Sequence, residues 1–263
     1  MEINSQHKTV LITGASSGIG LAFAKIFARE EYSLILVSRD AVKLDAVAKE
    51  LQKETKGKIF IMAKDLSLPS SPQEIFDEVQ NFGLSINVLV NNAGWGDYGV
   101  FTQSDKAKQL NMIDLNVHAL TELTHIFLPN LQAQKKAYIL NVASIAAFTP
   151  GPFMAVYFAS KAYVVSFGEA LAEELRGTTV SVTTLCPGPT MSNFFSRMME
   201  SSNEAVQDKT NMTADEVAMI GYKGMLNERV VVTPGLKNKI LSTLPRFVPR
   251  PLVRKIVRWM LTK

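Results

Sequence analysis

The sequence predicts an α/β protein with a parallel, doubly wound sheet of seven strands flanked by helices. Seven short apolar runs recur along the chain, most of them continuous rather than alternating, which is typical of parallel strands covered on both faces. Stretches of helical pattern separate these runs, and the regular alternation predicts the doubly wound arrangement. The predicted strands are residues 9–13, 33–38, 58–63, 86–90, 137–142, 179–185 and 229–233.

The first helix is predicted directly after the first strand. Its apolar residues follow the i, i+3, i+4 spacing of a core-facing stripe; they are Ile19, Ala22, Phe23, Ile26 and Phe27. Later in the chain, Ser-Pro-Gln-Glu at 71–74 and Thr-Ala-Asp-Glu at 213–216 are capping-box patterns. Each predicts the start of a further helix, the first with proline at the first helical position.

The composition is that of a globular protein, since 47% of the 263 residues are hydrophobic and 20% are charged. No repeat, linker or low-complexity segment divides the chain, so we expect residues 1–263 to form a single domain. The one cysteine, Cys186, excludes an internal disulfide, and no spacing of Cys and His indicates a metal site. No signal peptide or membrane span is recognisable, so we expect a cytoplasmic protein.

The net charge of +4 is unevenly distributed. Residues 245–263 hold six Lys or Arg and no acid, and subtracting this +6 leaves −2 for the rest of the chain. A nucleic-acid-binding face on the core is therefore not expected. The segment has the pattern of a basic amphipathic helix, whose apolar stripe is Leu252, Val253, Ile256, Val257 and Met260. Such a helix can lie on an anionic membrane, or pack on its own or a partner subunit; both alternatives stay open.

A glycine-rich turn joins the first strand to the first helix. Gly14, Gly18 and Gly20 frame it, with Ser16, Ser17 and Ile19 between them. Glycines let the strand turn tightly and let the backbone approach a pyrophosphate, which the helix amino terminus then binds. Glycine also marks ordinary turns, but the strand–turn–helix context favours a dinucleotide site.

The end of the second strand bears on which dinucleotide is bound. Proteins that prefer NAD often place an acid there to bind the ribose 2′-hydroxyl, whereas this chain has Ser38 followed by Arg39. An arginine can hold the 2′-phosphate of NADP through charge-assisted bonds. The alternative is a solvated loop arginine beside Asp40, itself a candidate helix cap. We therefore predict NADP, with NAD possible.

Several motifs appear in order along the chain: TGASSGIG at 13–20, NNAG at 91–94, Asn116 in LNVHAL, Ser144 in NVASIAAF, YFASK at 157–161 and PGPT at 187–190. Together they resemble the short-chain dehydrogenase/reductase family, well over residues 9 to about 190 and weakly beyond. The resemblance implies a Rossmann-type fold and a nicotinamide-dependent oxidoreductase that uses no metal.

By this resemblance, Asn116, Ser144, Tyr157 and Lys161 form the catalytic tetrad. Tyr157 is the general acid/base at the substrate oxygen, and Ser144 holds that oxygen. Lys161 lies one helical turn beyond Tyr157. Its charge, with that of the oxidised nicotinamide, is expected to lower the pKa of Tyr157 from its usual value near 10. The resemblance also assigns the ribose hydroxyls to Lys161, and a water-supporting backbone to Asn116.

The remaining cofactor contacts are also implied by the resemblance. Asp65 and Leu66 are expected at the adenine, Asn91, Ala93 and Gly94 along the cleft, and Pro187, Gly188 and Thr190 at the nicotinamide. Asn91 has a structural alternative, which is to stabilise the sheet. Pro187 and Gly188 are also ordinary turn residues. Ser17 is not the basic residue that some NADP-using relatives carry, and the three histidines match no catalytic position.

Substrate specificity is expected to come from a variable lid at about 190–225. Phe194, Phe195, Met198 and Met199 in this stretch suit a lid over an apolar carbonyl or secondary alcohol. The alternative is a helix packed on the core. Trp95, Phe148, Phe153 and Met154 are further candidates for the pocket wall.

Three functions remain to be weighed. The first is an NADP(H)-dependent carbonyl reductase or alcohol dehydrogenase. The second is a cofactor-binding regulator without catalysis, which the complete tetrad argues against. The third is a membrane-peripheral binding protein that uses residues 245–263. The resemblance further implies a homodimer or homotetramer that pairs through the helices holding Asn116 and Tyr157.

Overall fold

The computed structural model describes residues 8–191 and 212–262. Its strands are β1 (Thr9–Thr13), β2 (Ser33–Ser38), β3 (Ile59–Ala63), β4 (Val88–Asn91), β5 (Ala137–Val142), β6 (Val180–Leu185), β7 (Thr190–Met191), β8 (Met212–Thr213) and β9 (Val231–Val232). Its α-helices are α1 (Gly18–Arg29), α2 (Ala41–Leu51), α3 (Ser71–Asn81), α4 (Lys106–Ile113), α5 (Leu120–Gln132), α6 (Ala155–Glu174), α7 (Ala214–Leu226), α8 (Leu236–Thr243) and α9 (Arg250–Leu261). Single 3₁₀ turns cover Phe101–Gln103, Ile145–Phe148 and Leu244–Phe247, and a π-helical turn covers Asp114–Ala119.

Seven of the strands form one parallel sheet in the order β3-β2-β1-β4-β5-β6-β9. The predicted fold class is therefore confirmed. The strand order reverses between β1 and β4, which pair directly with each other. Ligands of such sheets bind outside the carboxyl ends of the strands at this reversal, and the glycine-rich turn after β1 lies there.

The seventh strand is shorter than its sequence pattern predicts. Only Val231 and Val232 pair with β6. Pro234 follows closely and has no N–H to donate, and Gly235 has a left-handed φ of 83°. The chain therefore leaves the sheet before the predicted apolar run of residues 229–233 is complete.

Helices cover both faces of the sheet. One face packs against α1, α2 and α7, and its largest buried side chains include Phe23 and Phe27. The other face packs against α3, α5 and α6, around Phe127. The predicted stripe of α1 lies in the first of these cores, with Ile19 at its edge and the other four members buried. This agreement follows from the helical period, which directs those residues to one side.

Of the two predicted capping boxes, one is confirmed and one is wrong. Thr213 Oγ1 accepts from the backbone N–H of Glu216, and the Glu216 carboxylate accepts from the backbone N–H of Thr213. In the stretch 71–74, α3 instead begins at Ser71, whose hydroxyl donates to the carbonyl of Asp65. Glu74 is drawn to Lys64, with 2.9 Å between Nζ and Oε2, so tertiary partners replace the local pair.

The structure describes residues 190–191 and 212–225 of the predicted lid. Residues 214–226 form α7, which packs its buried Val217, Tyr222 and Met225 into the core beside α1. Residues 214–226 are therefore part of the core. Phe194, Phe195, Met198 and Met199 lie outside the described residues.

Candidate active site

A cavity of about 430 Å³ lies at the carboxyl ends of the central strands. All but three of the predicted site residues line it: Gly14, Ser16, Ser17, Gly18, Ile19, Arg39, Asp65, Leu66, Ala93, Gly94, Ser144, Tyr157, Lys161, Pro187, Gly188 and Thr190. The exceptions are Gly20, Asn91 and Asn116, which stand behind the cavity wall. Residues from seven separate stretches of chain thus meet in one cleft.

The glycine-rich turn has the backbone that a bound anion requires. Gly14 and Gly18 adopt left-handed φ values of 66° and 56°, which side-chain-bearing residues rarely adopt. A Cβ atom on Gly20 would overlap the carbonyl oxygen of Gly14, so this glycine allows the close approach of α1 to the turn. The helix begins at Gly18, and its first N–H groups open toward the cleft, where they can bind a phosphate.

Asn92 connects the end of β4 to the end of β1. Its Nδ2 donates to the carbonyl of Thr13 at 2.9 Å, and the backbone N–H groups of Asn92 and Ala93 both donate to Thr13 Oγ1, also at 2.9 Å. Asn92 lines the cleft, although the sequence reasoning selected its neighbour Asn91. The Nδ2 of Asn91 instead donates to Thr124 Oγ1 and to Asn141 Oδ1, so its side chain takes the sheet-stabilising alternative. The NNAG motif was the available signal, but it did not say which asparagine faces the cleft.

The end of β2 carries a small polar group beside the cleft. Ser38 Oγ lies 2.8 Å from Ser16 Oγ. Arg39 is mostly exposed, and its guanidinium lies 3.9 Å from the Asp65 carboxylate, so it remains available to a ligand. Lys64 also faces the cleft, but hydrogen bonds to Glu78 and Glu74 hold it and raise its pKa. Asp40 caps α2 by accepting from the N–H of Lys43, as the sequence suggested.

Asn116 is buried in the π-helical turn between α4 and α5. Its side chain makes a paired contact with the backbone of Trp95, receiving its N–H at 3.0 Å and donating to its carbonyl at 2.9 Å. The same Nδ2 lies 3.0 Å from Ser160 Oγ. Single π-turns inside helices occur frequently at functional sites, and this one holds the loop after β4 against the helix of Tyr157.

Tyr157, Ser144 and Lys161 come together at the other end of the cleft. Tyr157 and Lys161 are both buried on α6, and the Tyr157 hydroxyl is hydrogen-bonded to Ser144. Ser144 follows β5 and accepts from the N–H of Ala146 at 3.1 Å. The Lys161 ammonium donates to the carbonyl of Val142 at 3.0 Å and lies 6.0 Å from the centre of the Tyr157 ring.

The ionisation of this group differs from the prediction. Burial raises the pKa of Tyr157 to about 12, although the hydrogen bond from Ser144 acts in the opposite direction. Burial also lowers the pKa of Lys161 to about 8. The protein by itself therefore does not lower the Tyr157 pKa as expected from the spacing alone. The physical reason is desolvation, which penalises the charged form of both side chains; the nicotinamide charge in the prediction comes from the bound cofactor.

An apolar cluster surrounds Tyr157 at its end of the cleft, and we call it the Tyr157 cluster. It comprises Met112, Ala146, Met154 and Tyr157, with Trp95, Tyr98, Val156, Phe158 and Leu261 packed against them. Leu261 belongs to the last turn of α9, and sequence reasoning did not find it, because the helical pattern does not say what the helix packs on. Phe148, a predicted wall residue, packs elsewhere, around Leu120 and Val164.

Phe153 lies beside the Tyr157 cluster in an uncommon conformation. Its φ is 67°, in the left-handed region that a bulky residue rarely adopts. Its carbonyl accepts from the N–H of Gly99 at 2.9 Å, and its ring lies 5.9 Å from that of Tyr98. The loop after β4 and the loop before α6 are therefore joined next to the Tyr157 cluster.

The described residues offer neither a metal cluster nor a membrane-spanning helix. Among residues 8–191 and 212–262, no group of three His, Cys, Asp or Glu side chains is arranged to hold a metal ion. None of the helices in these two ranges is both long and apolar enough to cross a bilayer. His118 is exposed and lies 3.7 Å from Glu122 on the same helix face, away from the cleft.

Comparisons with known proteins point to one family. A family profile described as short chain dehydrogenase matches residues 8–203. A short-chain dehydrogenase from Sphingobium yanoikuyae in complex with NADPH is 32% identical, with a TM-score of 0.80 over 87% of this chain and 88% of the other. The bulky-bulky ketone specific alcohol dehydrogenase from Comamonas testosteroni is 31% identical, with a TM-score of 0.76 over 88% of each chain. A short chain dehydrogenase/reductase from Burkholderia phymatum in complex with NAD is 26% identical, with a TM-score of 0.79 over 92% of this chain and 93% of the other.

Proposed function

Since the chain belongs to the short-chain dehydrogenase family, and is thus an oxidoreductase acting on CH–OH and C=O groups, we propose that it transfers hydride between NADP(H) and a lipophilic carbonyl or secondary alcohol. One observation carries this proposal. A single cleft brings the glycine-rich turn together with the hydrogen-bonded pair Ser144–Tyr157 and the buried Lys161.

The residues along the cleft fit a dinucleotide. Gly14 and Gly18 have the left-handed backbone of a phosphate-binding turn, and Gly20 leaves no room for a side chain. The pyrophosphate would be held by this turn, and the nicotinamide by the loop of Pro187, Gly188 and Thr190. At the adenine end Asp65 and Leu66 line the cleft. Once bound, the nicotinamide supplies or accepts the hydride.

The preference for NADP rests on the end of β2. Ser38 stands where a ribose-binding acid would select NAD, and the exposed Arg39 lines the same cleft as the hydrogen-bonded Ser16 and Ser38. A 2′-phosphate could accept charge-assisted hydrogen bonds from all three side chains. The NADPH complex of the Sphingobium protein supports this choice, while the NAD complex of the Burkholderia protein keeps NAD as the alternative.

Catalysis requires one proton at the substrate oxygen. In reduction, the Tyr157 hydroxyl gives its proton to the carbonyl oxygen as hydride reaches the carbon, and Ser144 donates a hydrogen bond to the same oxygen. The raised pKa keeps Tyr157 protonated at neutral pH, as a proton donor must be. The positive charge of Lys161 then stabilises the phenolate that remains. Asn116 acts as a positioning residue through Trp95 and Ser160.

The substrate is inferred from the Tyr157 cluster. Trp95 lines the cleft and packs in the Tyr157 cluster together with Tyr98 and Met154, and such apolar surroundings suit a bulky apolar group. The ketone specificity in the name of the Comamonas enzyme supports this choice. A regulator that binds the cofactor without catalysis is the weaker alternative, because Asn116, Ser144, Tyr157 and Lys161 are all retained.

The wider organisation follows the same reasoning. We propose that residues 1–263 form one domain, that the protein is cytoplasmic, and that it forms a homodimer or homotetramer through α5 and α6. The exposed side of these helices carries Tyr163, which stacks on Phe167 and lies 2.9 Å from Thr121 Oγ1 through its hydroxyl. Exposed aromatic surface of this kind is enriched at protein interfaces.

The test of the cofactor is a titration with NADPH and NADH of the wild type, Arg39→Ala and Arg29→Ala. Arg29 is a surface arginine paired with Glu54, so its variant is the matched control. We expect NADPH to bind about 10- to 100-fold more weakly to Arg39→Ala, as for the loss of a charged hydrogen-bond partner, with NADH binding unchanged. Equal losses for both cofactors, or a wild type that prefers NADH, would contradict the NADP assignment.

The test of the catalytic role uses bulky ketones with the preferred cofactor. Tyr157→Phe removes only the hydroxyl, so we expect cofactor binding to persist while the rate of reduction falls about 10²- to 10⁴-fold, the usual contribution of a general acid. Phe158→Leu, one residue along the same helix, is the control for packing. A Tyr157→Phe variant that reduces ketones at the wild-type rate would remove Tyr157 from the mechanism.

A further inference from the structure

The last part of the chain carries charge of one sign. We call residues 236–262 the C-terminal segment; it contains α8, the 3₁₀ turn Leu244–Phe247 and α9. It holds seven Lys or Arg and no Asp or Glu, which leaves the remainder of the chain with a net negative charge. Only one of these cations is used in a described aromatic contact, since the Arg258 guanidinium lies 5.7 Å from the Phe153 ring.

The apolar stripe of α9 is divided between two faces. Val253, Val257 and Leu261, each four residues apart, turn toward the protein, and Val253 is only 7% exposed. The other apolar residues form a second row that stays about half exposed: Leu252, Ile256, Trp259 and Met260 are 44% to 58% exposed. Packing on its own chain thus accounts for Val253 and Val257 of the predicted stripe, and the other three members, Leu252, Ile256 and Met260, face outward.

Another exposed apolar row lies before α9 in the chain. Leu236, Ile240 and Leu244 follow a four-residue spacing on α8 and the turn after it, and all three are exposed by half or more. Phe247 follows and is 80% exposed. An exposed apolar residue alone needs no explanation, but eight within 27 residues exceed the scattered pattern of a soluble surface.

We propose that the C-terminal segment docks the protein on an anionic phospholipid bilayer, with these two rows as its insertion face. Apolar rows beside a dense set of cations are what an interfacial helix needs, because the first enter the acyl boundary and the second meet anionic headgroups. A second copy of the chain fits less well, since a symmetric contact would bring the same cations together. Trp259 suits the headgroup level, where indole rings concentrate.

The docked segment also adjoins the candidate active site. Leu261, in the last turn of α9, packs on the Tyr157 cluster, and its carbonyl accepts from the Tyr98 hydroxyl at 2.8 Å. A bilayer held against α9 therefore lies next to the apolar wall of the substrate end. The docking surface deepens the proposed function, on which this part of the inference rests: it would deliver a lipophilic substrate from the membrane.

Co-sedimentation with vesicles tests the docking. The wild type is mixed with vesicles of phosphatidylcholine alone and of phosphatidylcholine with phosphatidylglycerol. Ile256→Ser/Trp259→Ser removes apolar side chains from the outward row, and Val42→Ser/Leu226→Ser is its control, with exposed apolar residues elsewhere. Arg254→Glu/Lys255→Glu reverses two charges of the segment, and Lys53→Glu/Lys106→Glu reverses two on the remaining surface.

We expect the wild type and both controls to sediment with the anionic vesicles and not with phosphatidylcholine alone. Each charge near the surface contributes about 1 kcal/mol, and the double reversal changes the charge by four units, so it should weaken partitioning by about 100- to 1,000-fold. In the wild type, brominated acyl chains should quench Trp259 fluorescence. A wild type that never sediments, or controls that fail as fully as the segment variants, would overturn the docking.

A cofactor titration of the same samples separates this inference from the proposed function. A protein that binds NADPH but ignores anionic vesicles loses only the docking surface. A protein that sediments but binds no dinucleotide loses the proposed function and keeps the docking surface. The segment variants are exposed and lie outside the cleft, so we expect their affinity for NADPH to match that of the wild type.

Discussion

Helices α1 and α9 both carry an apolar stripe of helical period, yet the protein uses the two stripes differently. In α1 the stripe faces the sheet, and Phe23 and Phe27 are completely buried. In α9 one row is covered and the other is exposed. The difference shows that amphipathic periodicity defines the faces of a helix, whereas the area offered by neighbouring elements decides how much of a face becomes core.

The cations of the two regions differ in the same way. Lys161 on α6 is buried, and its ammonium donates to the carbonyl of Val142 at the end of β5. Arg254 and Lys255 on α9 remain in water. Burial removes water from the charge of Lys161, so keeping that charge costs free energy of folding. The charges of α9 keep their hydration and act on other charged surfaces through long-range attraction.

The largest effect is expected where the α1 stripe is truncated. Phe27 packs edge-on against Tyr32 and Tyr222, at ring distances of 5.0 and 5.3 Å. Phe27→Ala should lower the free energy of unfolding by about 3–5 kcal/mol, because it leaves a cavity in a rigid core. Urea denaturation monitored by circular dichroism measures the loss. Trp259→Ala on α9 is the counterpart, and a change there as large as that of Phe27→Ala would erase the contrast between the helices.

The second effect concerns the buried cation. The pKa of Lys161 is lowered from 10.5 to about 8, so below pH 8 the folded protein bears the whole cost of the buried charge. Between pH 8 and 10.5 the unfolded state binds more protons, and the wild type gains stability as the pH rises. Lys161→Met removes this cost of about 3 kcal/mol and loses one hydrogen bond of about 1 kcal/mol. We therefore expect it to be more stable by about 2 kcal/mol at pH 7.

The advantage of Lys161→Met should disappear as the pH approaches 10.5. Denaturation midpoints at several pH values measure this trend, and Lys255→Met, at an exposed position of α9, should show no trend. An advantage that stays constant from pH 7 to pH 10.5 would mean that the charge of Lys161 is not what destabilises the fold.

The smallest effect separates the two rows within α9. Val253→Ala removes buried methyl groups and should lower the free energy of unfolding by about 1–2 kcal/mol. Ile256→Ala, in the outward row, should change the free energy of unfolding by less than about 0.5 kcal/mol, as is usual for exposed sites. The same denaturation experiment compares them. Equal losses would mean that both rows are packed, and would weaken the case for a membrane-facing row.

Local patterns predicted much of the molecule. The apolar runs located every strand of the main sheet, because parallel strands covered on both faces need continuous apolar sequence. The capping box at Thr213 was also found from four residues, since its partners are only three positions apart. At 71–74 the same pattern was wrong because the partners lie outside the four-residue motif. Ser71 donates to the carbonyl of Asp65, and Glu74 pairs with Lys64.

The site was predicted less evenly. The glycine-rich turn could be predicted from the sequence because the strand, the turn and the helix are contiguous in the chain. The sequence did not indicate which of Asn91 and Asn92 faces the cleft. That choice depends on tertiary contacts, since Asn91 bonds to Asn141 on β5 and Asn92 bonds to Thr13 on β1. Leu261 entered the Tyr157 cluster from the far end of the chain through a contact with Tyr98, and no local pattern specifies such a pairing.

The sequence by itself determined the succession of strands and helices along the chain and the glycine-rich turn, because these depend on periodicity and on near neighbours, while the resemblance to a family supplied the candidate tetrad. Only the tertiary structure decided the ionisation of Tyr157 and Lys161, the asparagine that faces the cleft, and the row of α9 that stays exposed. Each of these depends on burial, and burial is set by elements that are distant in sequence and meet only when the chain folds.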